Sequence, residues 1–117
     1  MKENVLKEKS YAFALRVVKA YGYLSEERNE RVLSKQLLRS GTSVGAMLRE
    51  AEYAQSMPDF VSKLSIALKE ANETEYWLML LKDGGYIGED VFSSIINDCR
   101  DLIRLLVSSI KTSKQKL

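Results

Sequence analysis

The sequence predicts an all-α fold, an antiparallel up-down four-helix bundle that takes residues 1–117 as a single domain. Three observations lead there. Apolar residues recur at helical spacing along almost the whole chain. Only three strong punctuation marks interrupt them, at Tyr21-Gly22-Tyr23, Ser56-Met57-Pro58 and Asp83-Gly84-Gly85. The chain has 117 residues, of which 45% are hydrophobic and 29% charged, enough to bury a core without disulfides or metals and too apolar to stay disordered.

Helix 1 is expected from about Asn4 to Ala20, with Leu6, Phe13, Val17 and Ala20 on one stripe and Gly22 as its stop. Helix 2 is expected to begin at Ser25 or a few residues later and to run to about Ala54, on the stripe Leu33, Leu37, Val44, Met47, Leu48 and Ala51. Ser56 followed by Pro58 reads as a cap with proline in the first turn, opening helix 3, which the Gly84-Gly85 pair ends. Helix 4 is expected from Gly88–Asp90 to about Lys111, with Glu89 and Asp90 at the positive end of its dipole and a fraying tail from Thr112 to Leu117. At 100° per residue its stripe comprises Phe92, Ile95, Ile96, Cys99, Ile103, Leu106, Val107 and Ile110, so Cys99 reads as a core side chain.

Two helices carry more apolar surface than one bundle face needs. Tyr76-Trp77-Leu78-Met79-Leu80-Leu81 is apolar around the whole circumference of helix 3, and Tyr11, Leu15 and Val18 lie opposite the main stripe of helix 1. Aromatic and methionine side chains are enriched in subunit contacts, so Tyr76, Trp77, Met79 and Leu80 are the expected oligomer interface; cover by the termini or by Tyr86-Ile87 is the alternative. In helix 2, Gly41 and Gly45 interrupt a helical run at about 1 kcal/mol each against alanine. Close approach of a neighbouring helix offsets that most simply, and contact of backbone or hydroxyl groups with a ligand, or a loop-like break, is the other reading.

Charge divides along the chain: residues 1–50 carry net +4, residues 51–98 net −6 and residues 99–117 net +4. On a helical wheel Arg28, Arg31, Lys35, Arg39 and Arg49 gather on the side of helix 2 opposite its core stripe, a basic face able to take phosphates. Two readings compete with that one. The face is simply solvated, diluted by Glu27, Glu30 and Glu50, or it pairs with acidic helix 3 (Glu70, Glu73, Glu75) of the same or a neighbouring subunit. Glu75 projects to the core side of helix 3, with Arg39 or Arg16 as candidate partners.

Catalysis finds little footing. The chain has no histidine and one cysteine, which removes the usual zinc sites, Ser/His/Asp triads and Cys/His dyads, and its six glycines form no phosphate-cradling motif. Neither a metal nor a cofactor is expected, nor an enzyme activity. The N-terminus is charged, no apolar run approaches a membrane span, and the cysteine has no internal partner, so a cytoplasmic location and no membrane association are expected.

Two motifs carry a resemblance. The first is Ser34-Lys-Gln-Leu-Leu-Arg-Ser-Gly-Thr-Ser-Val-Gly-Ala46; the second is Phe60 to Leu81, centred on Lys69-Glu-Ala-Asn-Glu-Thr-Glu-Tyr-Trp-Leu78. Together they resemble the four-helix-bundle proteins encoded in intervening sequences of large-subunit ribosomal RNA genes, over nearly the whole chain. Arg39, Ser40 and Ser43 match the family's helix 2 pattern, and Glu70, Glu73, Thr74 and Trp77 its helix 3 pattern; Met47 stands where the family often has asparagine, and the acidic residue common a few positions later falls at Glu50 or Glu52. The resemblance implies an up-down bundle assembled into a ring-like homopentamer. It extends in fold to the accessory variability proteins of diversity-generating retroelements, basic pentamers that bind nucleic acid and a reverse transcriptase. The leading expectation is therefore a non-enzymatic homo-oligomer associated with RNA or DNA through helix 2. A protein-interaction scaffold that binds no nucleic acid is the alternative, with a reverse transcriptase or another protein as partner.

Overall fold

Side chains that water rejects recur at alternating spacings of three and four in every helix, and this repeat sets the architecture. The buried positions on this repeat are Leu6, Ser10, Phe13, Val17 and Leu24 in the first helix, with Ser25 beside them, and Ser34, Leu37, Gly41, Val44, Leu48 and Ala51 in the second, with Ser40 beside them. They are Val61, Leu64, Ala67, Ala71, Thr74, Leu78 and Leu81 in the third, and Phe92, Ile95, Cys99, Leu102, Leu106, Ser109 and Ser113 in the fourth, with Ile96 beside them. In the computed structural model, which describes residues 2–117 and the side chains from Val5 onward, the helices are α1 (Lys2–Glu26), α2 (Leu33–Ala51), α3 (Met57–Asp83) and α4 (Glu89–Lys114). Each packs on the next, and α4 closes back on α1 to complete the square. A single apolar cluster runs down the middle of a molecule 47 Å long and about 20 Å across. The four-helix bundle is thus an antiparallel up-down one, as the sequence predicts.

The repeat explains one difference from expectation. A helix of 3.6 residues per turn drifts about 20° per heptad from a seven-residue repeat, and the bundle follows the seven-residue repeat. Down α4 the buried line therefore passes through Leu102 and Ser109, while Ile103 and Ile110 sit at its margin and Val107 is half exposed. Cys99 is fully buried; burial, with Glu75 nearby, pushes its thiol up to about 12, so it is a core side chain as expected.

The helix ends correct other boundaries. Gly22 does not stop α1, because Leu24 continues the buried stripe and holds the backbone helical through Glu26. The chain leaves the helix at Asn29, whose φ of 54° is the left-handed turn that asparagine tolerates. A Cβ added at Gly22 meets nothing within 4 Å. Gly22→Ala is therefore expected to stabilise the fold by about 0.5–1 kcal/mol, seen as a higher urea midpoint at unchanged slope. The second helix ends at Ala51, three residues early, and α4 continues to Lys114, docked by the buried Ser113. Ser56 caps α3 as expected: its hydroxyl accepts from the Asp59 N–H, Pro58 sits in the first turn, and the Asp59 carboxylate takes the Gln55 N–H in return. Gly85, with φ of 83°, supplies the left-handed residue after α3.

Of the helix 2 glycines, Gly41 has the simpler of the explanations. A Cβ at Gly41 stands 2.8 Å from Val17 Cγ2, too close for a real contact, whereas one at Gly45 stands at an ordinary 3.4 Å from Ser10 Oγ, so Gly41 is the position that lets α1 approach closely. Ser40, Thr42 and Ser43 turn their hydroxyls back onto the Gln36, Leu38 and Arg39 carbonyls, and α2 is unbroken.

Candidate nucleic-acid interface

The second helix begins at Leu33 and not near Ser25, so Arg28 and Arg31 stand in the α1–α2 connection and only Lys35, Arg39 and Arg49 lie on α2; of the five cations the fold commits two and leaves three. Arg28 donates to the Tyr86 carbonyl at 2.7 Å and the Gly85 carbonyl at 3.2 Å, with its guanidinium 5.4 Å from the centre of the Tyr86 ring, so it pins the α3–α4 turn. Arg39 donates to Glu70 at 3.2 Å and to Glu73. Glu73 also accepts from Trp77 Nε1 at 2.9 Å; that bond first, and Arg39 second, hold the Glu73 carboxyl below its ordinary range. Beneath this cluster the Thr74 hydroxyl reaches Ser40 Oγ at 2.9 Å in full burial. The residues that match the family pattern on α2 and α3 therefore form one polar seam between those helices. The acidic-helix reading of the sequence is met within one chain.

Arg31, Lys35 and Arg49 remain. All three are exposed, Arg31 makes only a 3.4 Å contact with Asn29 Oδ1, and none enters an ion pair among the described residues. Lys35 in the first turn of α2 and Arg49 in its last lie on the outward line that runs through Thr42 and Ala46, and Arg31 precedes the helix in the α1–α2 connection. Beside that line, across the close α1–α2 approach, stand Tyr11 (64% exposed), Leu15 and Val18. An open groove of about 1020 Å³ runs between them, lined by Lys7, Tyr11, Leu15, Thr42, Ala46 and Arg49 among others. Glu8 also lines it, and Lys7 is held by Glu52 at 3.0 Å. Tyr11 and Leu15 of the second apolar face of helix 1 thus share one groove with Arg49 of α2. The sequence contained both stripes but not their adjacency, which depends on how α1 is rotated against α2.

A residue that reading by sequence treated only as diluting charge has a structural role. Glu30 is buried in the α1–α2 connection, and its carboxylate accepts from the Val32, Leu33 and Ser34 N–H groups at 3.1, 2.9 and 2.7 Å. Burial acts to raise its pKa, but these bonds outweigh it and hold the group below the ordinary carboxylate value. Glu75 pairs with Arg100 at 2.7 Å and Arg16 with Asp98 at 2.7 Å, so neither Arg39 nor Arg16 is the partner of Glu75. On α3, Tyr76 and Met79 are exposed, Leu80 is half buried, and Trp77 is half buried with Tyr76 edge-on at 5.1 Å between centroids. Among the described residues no three His, Cys, Asp or Glu side chains gather as a metal centre requires, and no helix is long and apolar enough to cross a membrane.

These features define a four-helix bundle whose polar clusters hold helices together and one of whose grooves combines a cation with exposed apolar side chains. Residues 2–108 match the model of the 23S rRNA-intervening sequence protein family, and the chain belongs to that family. It is similar to a solved structure from Bacteroides thetaiotaomicron VPI-5482, described as a protein with unknown function from the S23 ribosomal protein family. The two share 58% identity over 95% of this chain and 99% of that one, with a TM-score of 0.94. No protein of curated function matches the chain.

Proposed function

We propose that this chain is a non-enzymatic, nucleic-acid-associated protein that works as a homo-oligomer and binds RNA through the outward line of α2. The observation that carries the reading is the separation of the cations: Arg28 and Arg39 are engaged by the fold, whereas Lys35 and Arg49 on the outward line of α2, and Arg31 just before it, stand exposed and without an ion pair among the described residues. Phosphates bound there displace counterions, which gives affinity without sequence selectivity. Tyr76 and Met79 on α3 lie outside that line and supply an apolar surface for a neighbouring copy. In a closed ring the basic face repeats on every subunit and its field adds. The family's link to ribosomal RNA intervening sequences agrees with an RNA partner.

The test is binding of a labelled mixed-sequence RNA to the purified chain at two salt concentrations, with the mass in solution measured in the same buffers. Arg31→Glu combined with Lys35→Glu is expected to weaken binding at least tenfold at low salt and to flatten its salt dependence, with helicity and mass unchanged. Undiminished binding by that variant removes the α2 face from the proposal. A wild-type chain that assembles but binds no RNA at low salt is instead a protein-interaction scaffold, a reading that the intramolecular pairing of Arg39 with Glu70 and Glu73 favours.

A further inference from the structure

We infer that the cavity at the end of the bundle where α1 begins and α2 ends binds a small neutral amphiphile, with the Ser109 hydroxyl of α4 as the partner of its one polar group; the inference is independent of the nucleic-acid reading above. The cavity measures about 290 Å³, and all four helices line it: Leu6 from α1, Leu48 and Ala51 from α2, Phe60 and Leu64 from α3, and Ser109 from α4. Small-molecule sites begin at about this size, so the ligand is a small one. Leu6, Leu48, Ala51, Leu64 and Ser109 are buried, whereas Lys7 and Glu52, which also line the space, are exposed and pair with each other at 3.0 Å on its solvent side.

Ser109 departs from the other buried hydroxyls of the bundle. Ser10 and Ser25 on α1, Ser34 and Ser40 on α2 and Thr74 on α3 each donate to a carbonyl three or four residues back. Ser109 Oγ is buried and has no hydrogen-bond partner among the described residues. A buried hydroxyl left unpaired costs stability, and a ligand group that bonds it recovers that cost on binding.

The same surroundings set the chemistry of the ligand. The walls are apolar, so its body is hydrocarbon. The Ser109 hydroxyl can donate or accept, which a single alcohol group on the ligand matches. A charged head group carried inward would lose its water without gaining a counter-ion, because Lys7 and Glu52 already neutralise each other outside. A water molecule would find in Ser109 the one buried polar side chain of the lining, where an ordered internal water makes about three hydrogen bonds.

The experiment titrates hexanol and hexanoate into the full chain carrying isotope-labelled leucine methyl groups and follows their NMR shifts. The wild type is expected to show saturable shifts on Leu6, Leu48 and Leu64 with hexanol, and to bind hexanoate about tenfold more weakly or not at all. Ser109→Ala is expected to weaken hexanol about fivefold. Without the alcohol it should unfold at the wild-type urea midpoint or above it, because it removes a hydroxyl that has no partner. The inference is overturned if no saturable shift appears on those methyls, or if Leu24, Leu37 and Leu78, which do not line the cavity, shift in equal measure. Equal hexanol affinity in wild type and Ser109→Ala overturns it as well, and so does hexanoate binding as tight as that of hexanol. A lower urea midpoint for Ser109→Ala shows that the fold itself satisfies the hydroxyl, and the inference falls on that result too.

Discussion

Glu30→Ala is expected to lower the stability of the fold by about 3 kcal/mol at pH 7, a drop in Tm on the order of 10 °C for a chain of this size. The carboxylate satisfies three of the four N–H groups that a helix start leaves without intrahelical partners, and it does so from a buried position. Val32, at the N-cap itself, contributes no side-chain bond that could take over the role. Alanine strands those donors and leaves a space beneath the connection. The Ser34 hydroxyl, which donates to the Glu30 carbonyl at 2.7 Å, keeps its bond, so the loss reports the carboxylate.

The same variant carries a pH signature. The folded pKa of Glu30 lies below its ordinary value of 4.5, so its charged form stabilises the protein fully above that value, and the contribution fades as the pH falls through the folded pKa. The stability gap between wild type and Glu30→Ala should accordingly be flat from pH 8 to about 5 and narrow in acid. Urea titrations across that range measure it directly. A gap that is constant down to pH 3 means that packing, and not the charged cap, accounts for the loss.

Gly41→Ala is expected to cost about 2 kcal/mol even though alanine is the better helix former by about 1 kcal/mol. The added Cβ falls 2.8 and 2.9 Å from the two methyl groups of Val17 and 3.2 Å from its Cβ. Val17 is fully buried and, being β-branched, has no other rotamer to retreat to, so α1 itself must shift. Val17→Ala removes the two opposing methyls, and the double variant should be at least 1 kcal/mol more stable than the sum of the single effects allows. Strict additivity in that cycle removes the close approach as the reason for the glycine. A stabilising Gly41→Ala does the same.

The two glycines that face in opposite directions show where sequence reasoning stopped. The sequence reads Gly22 as the stop of helix 1 and Gly41 as an interruption within helix 2, and both lie inside helices. Only packing separates them: Gly22 opens to free space within a helix that runs on to Glu26, and Gly41 marks a helix crossing. Helix count, the core face of each helix, the α3 cap and the burial of Cys99 were legible because each depends on side chains within one or two turns. Periodicity and capping are local physics.

The partners of charged groups were not legible. Arg28 meets Tyr86, 58 residues away; Arg39 meets Glu73, 34 away; Glu75 meets Arg100 on a helix the sequence did not place beside it. A helical wheel says which way a side chain leaves its own helix, and the rotation and axial offset of the neighbour decide what it meets. Those two quantities are set by the seven-residue repeat of the whole bundle, which also moved the α4 core line from Ile103 to Leu102. By itself, then, the sequence determined an all-α bundle, its four amphipathic faces and an excess of cations on helix 2. The tertiary structure decided which cations remain available, and it set Tyr11 and Leu15 in one groove with Arg49, because electrostatic pairing and surface continuity depend on distances between helices and not along the chain.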